Sequence, residues 1–122
     1  MKSLKIAETE HTPQVILDAD QGTFEMKGRL ITLDSHAFFD SIFLWWQSYL
    51  NHPNEQTTLS FELEYISTAN SKSLTALFKM LEVLPNVKVI WYYDEDEDQL
   101  DAGEDFSYFT KIPFEFVQAK QS

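Results

Sequence analysis

The stretch from Leu59 to Leu84 constrains the fold of this chain most strongly, because its apolar period changes halfway along. Apolar and polar residues alternate from Leu59 to Tyr65, which is the period of a β-strand with one buried face. Small polar residues follow at 67–71. From Leu74 the apolar residues recur every three or four positions, which is the period of an amphipathic helix. The stretch therefore predicts a strand, a polar loop and a helix.

A second apolar segment, Val87 to Tyr93, follows directly, so the unit is predicted to be strand, helix, strand with a parallel pair. Similar patterns predict a hairpin of two strands, at 14–17 and 23–27, which Gly28 ends. They also predict a helix at 34–50 that starts at Asp34 or Ser35, a short helix at 94–109 and a last strand at 112–117. We therefore predict an α/β fold for residues 1–122 as a single domain. Its mixed sheet has about five strands, with helices mainly on one face.

Charge and composition exclude several functions. Twenty acidic residues against nine basic ones give a formal charge of −11, which would repel the phosphates of nucleic acids and of anionic membranes. The chain has no cysteine, so disulfides, thiolate catalysis and zinc sites built on sulfur are excluded. No apolar run approaches the ~20 residues needed to span a bilayer. We expect a cytoplasmic protein that binds neither nucleic acid nor membrane.

Catalysis has little support in the sequence. The three histidines stand singly in polar contexts, and the three glycines are too widely spaced for a phosphate-binding loop. The spacing of Asp94, Asp96 and Asp98 begins like a calcium loop, but Gln99 stands where such a loop requires glycine. We expect no catalytic residue, cofactor or metal. A small acidic metal-binding protein or enzyme that uses the carboxylates of 94–105 stays open as an alternative.

The segment 94–105 is interpreted as the solvated start of a helix. Carboxylates at the front of a helix interact favourably with the positive end of its dipole. Leu100, Phe106 and Phe109 are expected to form the buried side of this helix.

The first predicted helix carries more apolar residues than one buried face requires. One stripe is wide enough to cover a sheet and consists of Phe39, Ile42, Phe43, Trp46 and Leu50. A second stripe, Phe38, Trp45 and Tyr49, is rotated away from the first. Burial under the C-terminal helix or in an extended core is one interpretation of it. An exposed patch that binds a partner is the other, because apolar area of this size rarely stays uncovered without use.

Hydroxyl and amide side chains gather where the central helix begins, at Ser67, Thr68, Asn70 and Ser71. Helix capping accounts for such a composition. The same position also suits a phosphate, because unpaired N–H groups and the positive dipole end lie there. Composition alone does not decide which hydroxyl would be modified.

The segment YISTANSK, residues 65–72, resembles the Y-x-N-T-S-S-x-K signature of the SiaC family of bacterial regulatory phosphoproteins. Residues 91–106 and 112–116 resemble that family's C-terminal half, and Thr12-Pro13 also fits. The resemblance implies a fold similar to the STAS domains of anti-sigma-factor antagonists. Ser67 and Ala69 depart from the signature's Asn and Ser, and residues 28–34 lack the family's G-x-S-x-P-E pattern.

The resemblance also implies a function. In the family, a dedicated kinase phosphorylates the signature threonine and a phosphatase dephosphorylates it. The unphosphorylated form binds and activates a diguanylate cyclase, in c-di-GMP signalling that controls biofilm formation and aggregation. Carried onto this chain, the phosphoacceptor is Thr68, which is expected to cap its helix when unmodified. The switch loop and partner contacts would then be Tyr65, Ser67, Asn70, Ser71 and Lys72. An antagonist of an anti-sigma factor, which would bind a kinase, is the alternative within this fold.

Overall fold

The computed structural model describes residues 1–119, so residues 120–122 of the predicted domain lie outside the described residues. Nine elements follow one another within this part of the chain. They are β1 (Leu4–Ile6), β2 (Gln14–Asp18), β3 (Thr23–Leu30), α1 (Ser35–Tyr49), β4 (Thr57–Ile66), α2 (Thr68–Leu81), β5 (Val87–Tyr93), α3 (Glu97–Tyr108) and β6 (Phe114–Gln118).

The strands form one mixed sheet in the order β1-β2-β3-β4-β5-β6. The first three are antiparallel neighbours, and β3 to β6 are parallel. One helix joins each parallel pair, and all three helices cover the same face of the sheet, where one apolar core lies. The predicted α/β fold, with a mixed sheet and helices on one face, is confirmed. The sheet has six strands where about five were expected.

The additional strand is β1, in a region where the sequence patterns predicted no element. Leu4 and Ile6 are partly buried against the core, and Leu4 pairs with Leu17 of β2. Three residues are too few to show a period. The other difference is at Gly28, which does not end β3. It adopts a φ of 134° inside the strand, where the pairing with β4 becomes irregular, and the strand continues to Leu30.

The alternation of β4 has the predicted cause. Leu59, Phe61 and Leu63 are buried under the helices, whereas the intervening residues face the uncovered side of the sheet. On that side Glu62 forms an ion pair with Lys27 of β3 at 3.3 Å. Exposed pairs of this kind contribute little stability, but they keep the open face polar.

The second stripe of α1 is buried, so the interpretation as an exposed partner patch is wrong for Trp45 and Tyr49. Trp45 is 9% exposed and Tyr49 is fully buried, while Phe38 is half-buried. The cover comes from the N-terminal segment and not from the C-terminal helix: Trp45 Nε1 donates a hydrogen bond to the Lys2 carbonyl at 2.8 Å. The Tyr49 hydroxyl is hydrogen-bonded to Thr57 Oγ1, also at 2.8 Å.

Helix α3 packs closely on β5 because Gly103 has no side chain. A Cβ at Gly103 would lie 2.5 Å from the indole of Trp91, closer than atoms pack. The indole Nε1 donates to the carbonyl of Gln99 at 2.8 Å, which fixes α3 over the strand. At the front of the helix Asp96 is the N-cap and accepts from the backbone N–H of Asp98. The acidic residues therefore begin a helix, as the sequence indicated.

Candidate functional site

The candidate site lies where β4 leads into α2, at the carboxyl edge of the parallel strands. Ser67 is the N-cap residue of α2, in an extended conformation, and Thr68 is the first helical residue. The expectation that Thr68 caps the helix is therefore wrong by one position. Its side chain is exposed and makes no hydrogen bond within residues 1–119. A hydroxyl in this position is free for chemical modification.

The Ser67 side chain does not cap a backbone N–H group but accepts a hydrogen bond from Asn70 Nδ2 at 2.6 Å. The same nitrogen donates to the carbonyl of Thr32 at 3.0 Å, in the loop that follows β3. We call these two bonds the Ser67–Asn70 clamp. The backbone N–H of Ser67 adds a third bond, to the carbonyl of Leu30. Together they tie the start of α2 to the β3–α1 loop.

Asn70 is fully buried, and its Oδ1 has no hydrogen-bond partner within residues 1–119. Because its side chain does not reach the surface, Asn70 cannot contact a partner protein directly. The expected partner contact at Asn70 is therefore wrong, and its place in the switch segment is structural.

A further bond joins the starts of α1 and α2. The hydroxyls of Ser35 and Ser73 lie 2.7 Å apart, and Ser35 is buried. The N-cap of α1 is Asp34, whose carboxylate accepts from the backbone N–H of Ala37. Both helices are thus held by side chains at the edge where Thr68 lies, and the site has a rigid base.

Two open grooves lie on either side of the first turns of α2. The α1–α2 groove has a volume of about 620 Å³ and is lined by Leu33, Asp34, Ser35, His36, Phe43, Thr68, Ala69, Lys72, Ser73 and Ala76. The α2–α3 groove has a volume of about 420 Å³ and is lined by Leu63, Glu64, Tyr65, Ile66, Ser71, Thr75, Asp98, Gln99, Ala102, Asp105, Phe106 and Phe109. A shallow depression from Thr68 to Phe109 connects the second groove to the threonine. Thr68 therefore stands on the ridge between two concave surfaces.

Exposed apolar side chains surround this ridge. Leu33 is fully exposed on the β3–α1 loop, and Tyr65 is 59% exposed at the end of β4. Phe109 is 61% exposed, although its spacing predicted burial: α3 ends at Tyr108, and the chain leaves the helical register there. The exposure of Leu33 was not predicted, because a single apolar residue in a loop has no period. These residues form an apolar rim that a partner protein could bury.

Two other predicted site residues lie on the first turns of α2. Lys72 is exposed, and among the ion pairs of residues 1–119 none involves its ammonium group. It is four residues after Thr68 and so lies on the same face of the helix. Ser71 is partly buried, lines the α2–α3 groove and donates its backbone N–H to the Ser67 carbonyl at 2.8 Å.

The carboxylates at the start of the acidic segment accept hydrogen bonds from the chain's own backbone. Carboxylates of Asp94 and Asp96 accept from the backbone N–H groups two residues further on, as in a turn and a helix cap. Within residues 1–119 no cluster of three or more His, Asp or Glu side chains is arranged to hold a metal ion. In the same part of the chain no helix has the length and apolar character needed to cross a bilayer.

A carboxylate with a shifted pKa lies at the other end of α2. The pKa of Glu82 is lowered, first by the backbone N–H of Lys111 and then by the hydroxyl of Thr110, both of which donate to Oε1. These bonds anchor the end of α2 to the α3–β6 connection. They stabilise the scaffold and lie outside the candidate site.

The fold and the site define a class: small α/β proteins with one mixed sheet covered on a single face, and with an exposed hydroxyl at the start of the second helix. The chain belongs to the SiaC family. Residues 6–119 match the family described as SiaC family regulatory phosphoprotein, which confirms the family suggested by the signature at 65–72. No curated protein sequence is similar enough to this chain to count as a match.

Three solved structures share the fold. SiaC of Pseudomonas aeruginosa has a TM-score of 0.86 at 24% identity, covering 98% of this chain and 100% of that chain. The diguanylate cyclase SiaD in complex with its activator SiaC, also from Pseudomonas aeruginosa, gives 0.87 at 24% identity, with 95% and 99% covered. Apo-SiaC from the same organism gives 0.85 at 26% identity, with 98% and 100% covered.

Proposed function

We propose that this chain is a non-catalytic regulatory phosphoprotein whose unphosphorylated form binds and activates a diguanylate cyclase. Membership of the SiaC family supports the regulatory class, and the solved complex of SiaD with its activator SiaC contains a protein of the same fold. The observation that carries the proposal is the exposed Thr68 on the ridge between two grooves. A modification there changes the surface that a partner would cover.

Thr68 is the best phosphoacceptor among the neighbouring hydroxyls because it is exposed and its hydroxyl makes no hydrogen bond within residues 1–119. The Ser67 hydroxyl is engaged by Asn70. Ser71 is partly buried, and Ser73 is bonded to the buried Ser35. A kinase must bind the hydroxyl group in its own active site, so the side chain that carries this group must be accessible. Thr68 meets that requirement without breaking the clamp.

Phosphorylation would add about −1.5 to −2 charges and three acceptor oxygens to this ridge. N–H groups of the first turn of α2 and the ammonium of Lys72 are placed to stabilise the phosphate within the protein. A partner shaped for a neutral threonine would instead meet a bulky dianion on a chain whose formal charge is already −11. Binding would therefore be lost through changed complementarity, with the fold intact.

This switch requires a cognate Ser/Thr kinase and a cognate phosphatase. We propose that the chain and its partner proteins act in the cytoplasm. Its output would be c-di-GMP synthesis and, through it, biofilm formation and aggregation. An antagonist of an anti-sigma factor would use the same phosphorylation but bind a kinase as its target. Capture of partners from host lysate with the unphosphorylated protein separates the two, because a cyclase or an anti-sigma kinase would be recovered.

Mass spectrometry of the protein purified from its own host tests the site directly. We expect phosphate on Thr68. In a binding assay with the cyclase, kinase treatment should abolish binding of the wild type and of Ser48→Ala, a control that removes an exposed hydroxyl on α1 outside both grooves. The Thr68→Ala variant should stay bound after the same treatment. Phosphate on Ser67 or Ser71, with none on Thr68, would overturn the assignment.

A further inference from the structure

The base of the α2–α3 groove includes the side chain of Gln99, at the start of α3. Gln99 lines this groove and is only 7% exposed. Its backbone carbonyl accepts from the Trp91 indole, and its Oε1 accepts from the backbone N–H of Asp94 at 2.7 Å. These two bonds fix the start of α3 to β5 and to the loop that precedes the helix, so Gln99 gives the groove a firm base.

The groove has an apolar part at its base and at one end. Leu63 and Phe106 are buried at its base, while Phe109 stands 61% exposed at one end. Ala102 contributes only a methyl group, which leaves the space open. A volume of about 420 Å³ accepts one or two large apolar side chains of a partner.

The rim of the groove is acidic. Asp98 and Asp105 line it, both are exposed, and neither forms an ion pair within residues 1–119. They belong to the segment 94–105, which contains eight carboxylates and no basic residue. Such a rim attracts lysine and arginine and repels acidic peptides and nucleic acids.

We propose that the α2–α3 groove binds a basic amphipathic segment of the protein partner. One or two apolar side chains of that segment fill the groove, and flanking lysine or arginine side chains pair with Asp98 and Asp105. The inference rests on the proposed function, since the partner is the diguanylate cyclase. The groove continues to Thr68 through a shared wall of Ser71, Thr75 and Phe109, so a phosphate there lies at the end of the docking surface.

Calorimetric titration of the full-length chain with the host's diguanylate cyclase tests the rim. The variant Asp98→Asn/Asp105→Asn removes two charges from the groove, and Asp101→Asn/Glu104→Gln removes two charges from the same helix outside it. Exposed ion pairs contribute about 0.2–1 kcal/mol each, so we expect the groove variant to bind about 2- to 30-fold more weakly. Its affinity should also depend less on salt than that of the wild type. The control variant should bind like the wild type.

Filling the groove tests its apolar floor independently of charge. Ala102→Phe should weaken binding at least about tenfold, and Ala37→Phe, on the exposed side of α1, should not. Thermal melts of each variant separate loss of docking from loss of fold. If the wild type binds the cyclase and all four variants bind equally well, the groove assignment is overturned and the proposed function stands. If the wild type does not bind the cyclase, both are overturned.

Discussion

Replacing Asn70 by alanine should destabilise the fold although Asn70 lies beside the proposed phosphoacceptor. The substitution removes two hydrogen bonds from a fully buried side chain, to the Thr32 carbonyl and to Ser67 Oγ. Each bond contributes about 1 kcal/mol. Loss of buried volume adds to the cost, while removal of the unpartnered Oδ1 offsets part of it. We expect a net loss of about 1–3 kcal/mol.

Thermal denaturation followed by circular dichroism measures this loss. For 122 residues, 1 kcal/mol corresponds to about 4 °C in Tm, so Asn70→Ala should melt about 4–12 °C below the wild type. Thr68→Ala is the matched control: the Thr68 side chain is exposed and makes no hydrogen bond within the described part of the chain, so the change in stability should stay within about 0.5 kcal/mol. A melting temperature of Asn70→Ala within 1 °C of wild type would refute the clamp. So would an equal loss in Thr68→Ala.

Three further predictions concern the scaffold. Gly103→Ala should lower Tm, because the added methyl would lie 2.5 Å from the Trp91 indole and overpack the contact between α3 and β5. Such overpacking costs about 1–3 kcal/mol. The gain in helix propensity from glycine to alanine, roughly 1 kcal/mol, offsets only part of this cost. The pKa of Glu82 is lowered because its ionised carboxylate accepts hydrogen bonds from Lys111 and Thr110. The ionised form therefore stabilises the fold at any pH above the ordinary carboxyl pKa. This stabilisation is lost as the pH falls through the lowered pKa. Urea melts should therefore show wild type more stable than Glu82→Gln at pH 7, with this difference shrinking as the pH falls through the lowered pKa. Millimolar calcium should leave Tm unchanged, because a ligand that binds only the native state would raise it.

Each of these has a clear contrary result. Unchanged stability of Gly103→Ala would mean that α3 is free to shift from the strand. If the difference in stability between wild type and Glu82→Gln does not change with pH, the ionisation of Glu82 does not stabilise the fold. A rise of several degrees with calcium would restore the metal-binding alternative for the segment 94–105.

Local periods accounted for most of the fold. The alternation from Leu59 to Tyr65 and the helical period from Leu74 are properties of short segments, and the structure reproduces both. Strand β1 was not predicted because three residues are too few to show a period. The contact that covers Trp45 was not predicted because its partner, Lys2, lies 43 positions away in the sequence. Long-range packing of this kind leaves no signal in a single sequence.

The candidate site was predicted less fully than the fold. The polar run from 67 to 71 indicated a helix start, but which residue is the cap depends on the backbone angles of Ser67, which several hydroxyl residues could adopt equally well. The burial of Asn70 depends on a carbonyl in another loop, at Thr32. The bond between Gln99 and the backbone of Asp94 likewise cannot be predicted from their spacing.

The affinity of the diguanylate cyclase for the chain with and without phosphate on Thr68 tests the central proposal most directly. The Tm of both forms should be measured as well, because the switch is proposed to change the surface and not the stability of the fold. We expect the unphosphorylated protein to bind and the phosphorylated one to bind at least about tenfold more weakly, a difference of about 1.4 kcal/mol, with Tm values within about 2 °C of each other. Equal affinities, or a loss of binding that merely follows a fall in Tm, would contradict the proposed switch.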